Sequence, residues 1–126
     1  EKPTMVFTHH PHFTTGLTKM DEPFGNVQEF ERILKTHPNL TLCCGHLHHA
    51  TTTSWNGIRS IICPPISMEM ELDFSEVGGD TFFLANPGYI LHTYCDNNIV
   101  SYIQTIPTQA SYSGPHPFKY LESDKH

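Results

Sequence analysis

Residues 26–45, "NVQEFERILKTHPNLTLCCG", predict a helix followed directly by a buried strand. In the first half apolar residues recur at helical spacing, and Asn26 and Pro38 are suited to the positions just before and just after a helix. The second half is a short apolar run that ends at Gly45, which is typical of a buried strand. These two elements decide the fold class, because one further strand placed before them would complete a β–α–β unit.

That further strand is predicted immediately upstream. Residues 4–9, "TMVFTH", form a short apolar run that stops at polar, proline-containing sequence, as a buried strand would. The β–α–β unit implies two parallel strands whose carboxyl ends lie on the same edge of a sheet. The segments "THHPH" and "GHLHH" follow those two ends, at the edge where α/β sheets bind ligands. The sequence therefore predicts that two histidine clusters meet there.

Downstream of the second cluster the chain reads as hairpins. Asn56-Gly57 separates two β-prone runs and is a strong hairpin signal. Two further strands are predicted at 88–94 and 98–106, joined by a turn around residues 96–98. Residues 64–79 are less regular, with acidic residues that we interpret as a solvated strand face, and the segment after 107 is rich in Pro, Ser and Gly.

Composition excludes several classes of function. The chain has 126 residues, the size of one domain, and a net charge of -6 with seven Lys and Arg that never cluster. It is therefore not expected to bind a nucleic-acid backbone, nor to cross a membrane, since it has no long apolar run. The spacing of its cysteines fits neither a metal knuckle nor a disulfide framework, so buried free thiols in a reducing cytoplasm are predicted for Cys43, Cys44, Cys63 and Cys95.

The histidine clusters predict a metal site. In an extended segment, residues i and i+2 face the same way, so His46 and His48 would both point into one site, with Gly45 allowing a tight turn. Neutral imidazole is a good ligand for Zn, Fe, Co, Ni or Cu, and His9 ends the parallel strand. Three histidines with an open position would resemble a catalytic zinc centre, whereas a polar loop is the simpler alternative. No carboxylate lies near either cluster in sequence to bridge two metals.

A family resemblance is carried by these motifs. "VFTHHPHF" followed by "GHLHH" resembles the last two motifs of the calcineurin-like metallophosphoesterases. Together with "GYILHTYCDNNIVSYIQTI" and "YSGPHPF", the match from about Met5 to Tyr120 resembles the bacterial cyclic-nucleotide and glycerophosphodiester phosphodiesterase branch. The resemblance implies an α/β fold, the C-terminal half of a four-layer αββα sandwich with a β-hairpin-containing cap. It places residues 1–48 and 86–107 in the core sandwich, 49–85 in a cap or dimerisation segment, and 108–126 in an extended tail.

The resemblance also implies roles for individual histidines. His9 and His46 match ligands of one metal, and His48 matches a ligand of the other. His10, beside a ligand position, would orient water or phosphate or simply pack, while His12 and His49 would be outer contacts to the substrate. The implied cofactors are two divalent ions, Fe, Mn, Zn or Co, of which this chain by itself would bind one or none.

The function implied by the resemblance is hydrolysis of a small phosphodiester, a cyclic nucleotide or glycerophosphodiester, by a metal-bound hydroxide. The family's earlier motifs, Asp-x-His, Gly-Asp and Gly-Asn-His, are not found here in the family's context. We therefore expect a C-terminal half, inactive alone, whose partners are the N-terminal half of the same protein and further copies in a homo-oligomer. Two alternatives are a complete mononuclear three-histidine zinc hydrolase and a non-catalytic interaction module that retains the fold.

Overall fold

The structure, a computed structural model, describes residues 2–22 and 24–107. Within these residues it forms one helix and three separate sheets. The tail predicted for 108–126 lies outside the described residues. In chain order the elements are β1 (Thr4–Phe7), α1 (Val27–Leu34), β2 (Leu40–Cys44), β3 (Thr51–Trp55), β4 (Ile58–Ile62), β5 (Met68–Met70), β6 (Phe82–Leu84), β7 (Gly88–Cys95) and β8 (Asn98–Thr105).

The predicted β–α–β unit is confirmed. Strands β1 and β2 are parallel neighbours, with Thr4 opposite Leu40 and Phe7 opposite Cys43, and α1 connects them. All residues of β2 are buried, as predicted, because a strand pairs with it on each side. The burial predicted for β1 is wrong: it is a sheet edge among the described residues, and Phe7 is 68% exposed.

Both predicted hairpins are confirmed. Strands β3 and β4 are joined by Asn56 and Gly57, whose φ values of 47° and 84° fit the two-residue turn that matches strand twist. Strands β7 and β8 pair antiparallel along their full length, and Asp96 and Asn97 supply the two positive φ angles of their turn. One pairing was not predicted: β4 also lies parallel to β2, which gives the four-stranded order β1-β2-β4-β3.

The four-stranded sheet is covered on both faces. On one face Leu42 and Ile62, neither measurably exposed, pack in the core cluster with Leu34 of α1. On the other face lies the β7–β8 hairpin, where Arg59 of β4 donates hydrogen bonds to the Ile99 carbonyl at 2.7 Å and to Ser101 Oγ at 3.0 Å. Helix α1, the four-stranded sheet and the β7–β8 sheet thus form three layers. This is a small mixed α/β fold.

The segment 49–85, for which the resemblance implies a cap, has two parts. Strands β3 and β4 belong to the four-stranded sheet, whereas β5 and β6 form a separate two-stranded sheet. The cap assignment stays a prediction; β5 and β6 are the strands of 49–85 outside the main sheet, although Met70 of β5 is buried in the same core cluster as Leu42. Among residues 2–22 and 24–107, no helix is long and apolar enough to cross a membrane.

The cysteines are all free, but their predicted burial holds for only two of them. Cys43 and Cys44 are buried in β2, whereas Cys63 and Cys95 are exposed because each lies at the end of a strand near a turn or loop. Burial, with a smaller contribution from Cys44, raises the pKa of the Cys43 thiol to about 11. Cys43 is therefore expected to be chemically inert in the folded chain.

Alkylation should separate these thiols. Near pH 8 a thiol with a pKa of about 11 is only about 0.1% thiolate, so iodoacetamide should modify Cys95 long before Cys43. Peptide mass spectrometry after timed labelling measures the two rates, and labelling in urea should make them similar. Equal rates for Cys43 and Cys95 in the folded chain would contradict the buried position of Cys43. A Cys95→Ser variant identifies the part of the fast labelling that comes from Cys95.

His92 lies between the β7–β8 sheet and the four-stranded sheet, and its pKa predicts that the stability of the fold depends on pH. Burial and the positive Arg59 lower the pKa of His92 below its usual 6.5. The unfolded chain then binds a proton at higher pH than the folded chain does, so the free energy of unfolding should decrease as the pH falls through 6.5. Urea unfolding at about pH 7.5 and about pH 5.5 measures this loss, which should be smaller in His92→Gln. An identical loss in the variant would show that His92 does not carry the effect.

Candidate metal centre

The predicted meeting of the two histidine clusters is confirmed. His9 follows β1 by two residues, and His46 follows β2 by two residues. Backbone hydrogen bonds continue the parallel pairing beyond both strand ends: Thr8 N donates to the Cys43 carbonyl at 3.0 Å, and Gly45 N donates to the His9 carbonyl at 2.9 Å. These bonds fix the His9 backbone beside Gly45, so that the next side chain along, His46, comes close to the His9 ring.

Three imidazoles converge at this edge. Each of His9, His10 and His46 offers a ring nitrogen, and these nitrogens lie within 4.8 Å of one another. The ring centroids of His10 and His46 are 4.1 Å apart, and those of His9 and His46 are 5.4 Å apart. Nitrogen ligands at the zinc distance of about 2.0–2.1 Å would lie roughly 3.4 Å from one another in a tetrahedral site. Small side-chain rotations would therefore bring this set to coordinating distance.

Two of these histidines already have an outer partner on one nitrogen. His46 Nε2 donates to the Met20 carbonyl at 3.0 Å, and His10 Nε2 lies 3.1 Å from the Glu22 carboxylate, to which it donates. Both rings therefore keep Nδ1 as the nitrogen with a lone pair. Metal-binding histidines characteristically bind through one nitrogen and donate the other to a carbonyl or carboxylate. The chemistry of the donor set thus fits a divalent metal.

The Asp21 carboxylate fixes the loop that provides those partners by accepting three hydrogen bonds. Asp21 Oδ1 accepts hydrogen bonds from Thr15 N at 2.8 Å and Thr15 Oγ1 at 2.7 Å, and Asp21 Oδ2 accepts from Gly16 N at 2.8 Å. This fixes the loop from which the Met20 carbonyl and Glu22 reach the histidines. The sequence did not predict these two partners, because an irregular loop carries no periodic signal; the only hint was that "MDEPFGN" lies inside the segment of family resemblance.

The backbone after β2 differs from the prediction. Residues 45–48 are not extended: His46 and His48 have φ values of 68° and 54°, and Gly45 does not adopt a positive φ. The extended backbone expected here is therefore wrong, and strand alternation does not determine where the His46 and His48 side chains point. A non-glycine residue in this region costs of the order of 1–3 kcal/mol and is found preferentially at functional sites. Burial, followed by the neighbouring His10, lowers the pKa of His46, which favours the neutral ring that binds metal.

His48 and His49 lie outside the group of three. His48 Nδ1 donates to the Met68 carbonyl at 3.2 Å, which ties it to β5. His49 Nδ1 donates to the Ala50 carbonyl at 3.3 Å, and its Nε2 lies 3.5 Å from a Glu69 carboxylate oxygen. The roles that the resemblance implies for His48 and His49 stay predictions, whereas His10, for which it implied a supporting role, lies inside the cluster.

His12 occupies a different environment from the cluster. Its ring stacks on Phe30 with a centroid distance of 3.9 Å and meets the edge of Phe24 at 4.0 Å, so burial lowers its pKa. His12 lines a cavity of about 240 Å³. His10 and its hydrogen-bond partner Glu22 line the same cavity. The predicted role of His12 as a substrate contact remains a prediction, but its position next to the cluster is compatible with it.

Comparison with known proteins identifies relatives of the chain. A probable glycerophosphodiester phosphodiesterase, GpdQ, of Arcobacter nitrofigilis is 29% identical over 125 residues, covering 94% of this chain and 44% of that protein. The 3',5'-cyclic adenosine monophosphate phosphodiesterase CpdA of Escherichia coli K12 is 25% identical over 109 residues, covering 84% and 38%. A probable cyclic nucleotide phosphodiesterase of Rhodopseudomonas palustris is 40% identical over 80 residues, covering 62% and 29%.

These relatives are much longer than the matched region. The chain spans 29% to 44% of their length. No protein-family model matches the chain. The relatives nevertheless agree in the activity that they are named for, hydrolysis of a phosphodiester, and two of the matches extend over more than four fifths of the chain. The resemblance predicted from the histidine motifs is therefore confirmed, and the chain is a relative of glycerophosphodiester and cyclic-nucleotide phosphodiesterases.

Proposed function

We propose that this chain supplies histidine ligands to a divalent-metal-dependent phosphodiester hydrolase. The observation that carries the proposal is the convergence of His9, His10 and His46 at the carboxyl ends of β1 and β2. The substrate class, a small diester of cyclic-nucleotide or glycerophosphodiester type, is proposed from the names of the relatives.

The histidines and their hydrogen-bond partners would have different roles at such a site. When bound, a divalent metal supplies Lewis acidity that stabilises charge on phosphate oxygens in the transition state. Neutral imidazoles contribute no negative charge, so a site built from them keeps its attraction for an anionic diester. The Glu22 carboxylate and the Met20 carbonyl hold the His10 and His46 rings in orientation through their Nε2 protons.

Two metal arrangements are compatible with these ligands. In the two-metal proposal, which follows from the family resemblance, His9 and His46 would bind one ion, His48 would bind the other, and another part of the protein would supply the carboxylate ligands. The second candidate is a single zinc held by His9, His10 and His46, which is supported by the absence of any acidic residue from that group in the described part of the chain. Loss of metal in His48→Ala but not His10→Ala would favour two metals, and the reverse would favour one.

The finer architecture is also a proposal. The outer face of the β7–β8 hairpin carries large side chains that are 40–53% exposed, namely Tyr89, Leu91, Val100 and Tyr102. We propose that helices from another part of the same protein cover this face and complete a four-layer αββα sandwich. Assembly into a homo-oligomer through the β5–β6 region is proposed from the resemblance, and a non-catalytic module is the alternative if no metal binds.

Hydrolysis tests the proposed function directly. The full protein encoded by the gene that contains this chain, loaded with Mn²⁺, should hydrolyse bis-p-nitrophenyl phosphate, and His46→Asn should reduce the rate by at least about 100-fold. The 126-residue chain alone should not hydrolyse it. A His37→Asn variant is the control, because His37 is exposed and outside the cluster. Activity that survives in His46→Asn would contradict the proposal, and zinc-dependent activity of the chain alone would establish the mononuclear alternative.

A further inference from the structure

The cavity beside the histidine cluster is lined by several side chains that are not needed to bind a metal. It measures about 240 Å³, and His10 belongs both to its wall and to the cluster. Phe24 and Val27 give it an apolar side, whereas Thr14, Asp21 and Glu22 give it a polar side. A diester whose phosphate lay at the cluster would direct one of its two alcohol groups into this space.

His12 is a buried side chain of this cavity that lacks hydrogen-bond partners among the described residues. It is 6% exposed, and neither Nδ1 nor Nε2 has a hydrogen-bond partner among the described residues. The rings of Phe24 and Phe30 cover it on two sides at about 4 Å. Buried polar groups are nearly always hydrogen-bonded, so a ring with both nitrogens unpaired is expected to take a partner from beyond the described residues.

The surroundings restrict the chemistry of that partner. A neutral imidazole offers one donor and one acceptor, which is the complement of a hydroxyl group. The carboxylates of Asp21 and Glu22 line the same cavity and would repel a second anionic group. Both Asp21 oxygens and Glu22 Oε2 already accept hydrogen bonds from the loop and from His10, which leaves His12 as the buried side chain of this cavity without a partner among the described residues. An uncharged, hydroxyl-bearing alcohol group therefore fits best.

We propose that His12 is a specificity-determining residue that hydrogen-bonds a hydroxyl of the alcohol group of the diester. This inference rests on the proposed function only for the position of the phosphate at the histidine cluster. The hydrogen bond between His12 and a hydroxyl group does not depend on that function. The preference that it creates is for polyol esters over esters of simple alkyl alcohols. A site built to bind a hydroxyl rejects an analogue that lacks it, because the buried polar group is then left unpaired.

Two phosphates of similar shape test the preference without requiring turnover. The zinc-loaded chain should bind glycerol 3-phosphate about tenfold more tightly than propyl phosphate, which lacks both hydroxyls, in a calorimetric titration. In His12→Phe, which keeps an aromatic ring in the Phe24–Phe30 stack, the two dissociation constants should become equal. His12→Asn, a smaller polar replacement, provides a second variant if His12→Phe does not fold. His37→Phe is the matched control and should retain the full preference.

A second readout separates this inference from the proposed function. In the metal-free chain, glycerol should shift the ¹⁵N resonances of the His12 ring in a saturable way, and 1-propanol should not. Failure of both phosphates to bind would overturn the proposed function, whereas the glycerol titration would still decide the role of His12. Unchanged His12 resonances, or an equal preference in His12→Phe and the unmodified chain, would overturn the inference. Tighter binding of phosphoethanolamine than of glycerol 3-phosphate would also overturn it, since charge would then select the alcohol.

Discussion

Replacing His46 with asparagine should weaken zinc binding by the 126-residue chain by more than about 100-fold. Loss of a mere outer partner of a metal ligand typically costs 10–100-fold in affinity, and loss of a direct ligand should cost more. Asparagine is the appropriate replacement because it tolerates the left-handed backbone at this position, where φ is 68°. The dissociation constant can be measured by competition with a chromophoric chelator.

Two control variants make this result interpretable. His37→Asn should leave the zinc affinity unchanged, since His37 is exposed and outside the cluster. Glu22→Gln removes the carboxylate that accepts from His10 Nε2 at 3.1 Å but keeps an amide oxygen there, so a loss of tenfold or less is expected. Unaltered zinc affinity in His46→Asn would mean that the metal binds elsewhere, and the assignment of the site would fail.

The second large effect concerns the strand that positions His46. Leu42→Ala should lower the free energy of unfolding by about 2–5 kcal/mol, because Leu42 has no measurable exposure and its removal leaves a cavity between the sheet and α1. The free energy of unfolding of a domain is only about 5–15 kcal/mol, so this substitution would remove a large part of it. Urea denaturation of the chain and the variant gives the difference directly.

An exposed leucine is the control for this prediction. Leu84 is 88% exposed at the end of β6, and Leu84→Ala should change the free energy of unfolding by no more than about 0.5 kcal/mol. Equal destabilisation by the two substitutions would contradict the layer arrangement, since it would place Leu84 in a packed interior. Little effect of Leu42→Ala would contradict the central position of β2 in the sheet.

Local signals accounted for much of the fold. The helix follows from apolar spacing in 27–34, and the two hairpins follow from Asn56-Gly57 and Asp96-Asn97, because tight turns require residues that accept positive φ. Asn26 does precede α1 as predicted, although its side chain makes no capping hydrogen bond. The convergence of His9 with His46 was also predictable, because parallel strands in a β–α–β unit share an edge.

Features that depend on distant contacts were not predictable from these signals. The pairing of β4 with β2 joins segments whose sequences do not indicate register or partner, and the exposure of Phe7 depends on which strand flanks β1. The place of His10 in the cluster depends on Glu22, twelve residues away in an irregular loop. The geometry of His46 was mispredicted because sequence alternation assumes an extended backbone, whereas its φ is positive.

A zinc titration of the ¹⁵N-histidine-labelled chain, followed by NMR of the ring nitrogens, tests whether the ends of β1 and β2 form one metal site. The resonances of His9 and His46 should change together and saturate at the first equivalent of zinc, while those of the exposed His37 should not change. A titration in which zinc binds but the His9 and His46 rings remain unaffected would contradict the claim that these two strand ends form one metal site.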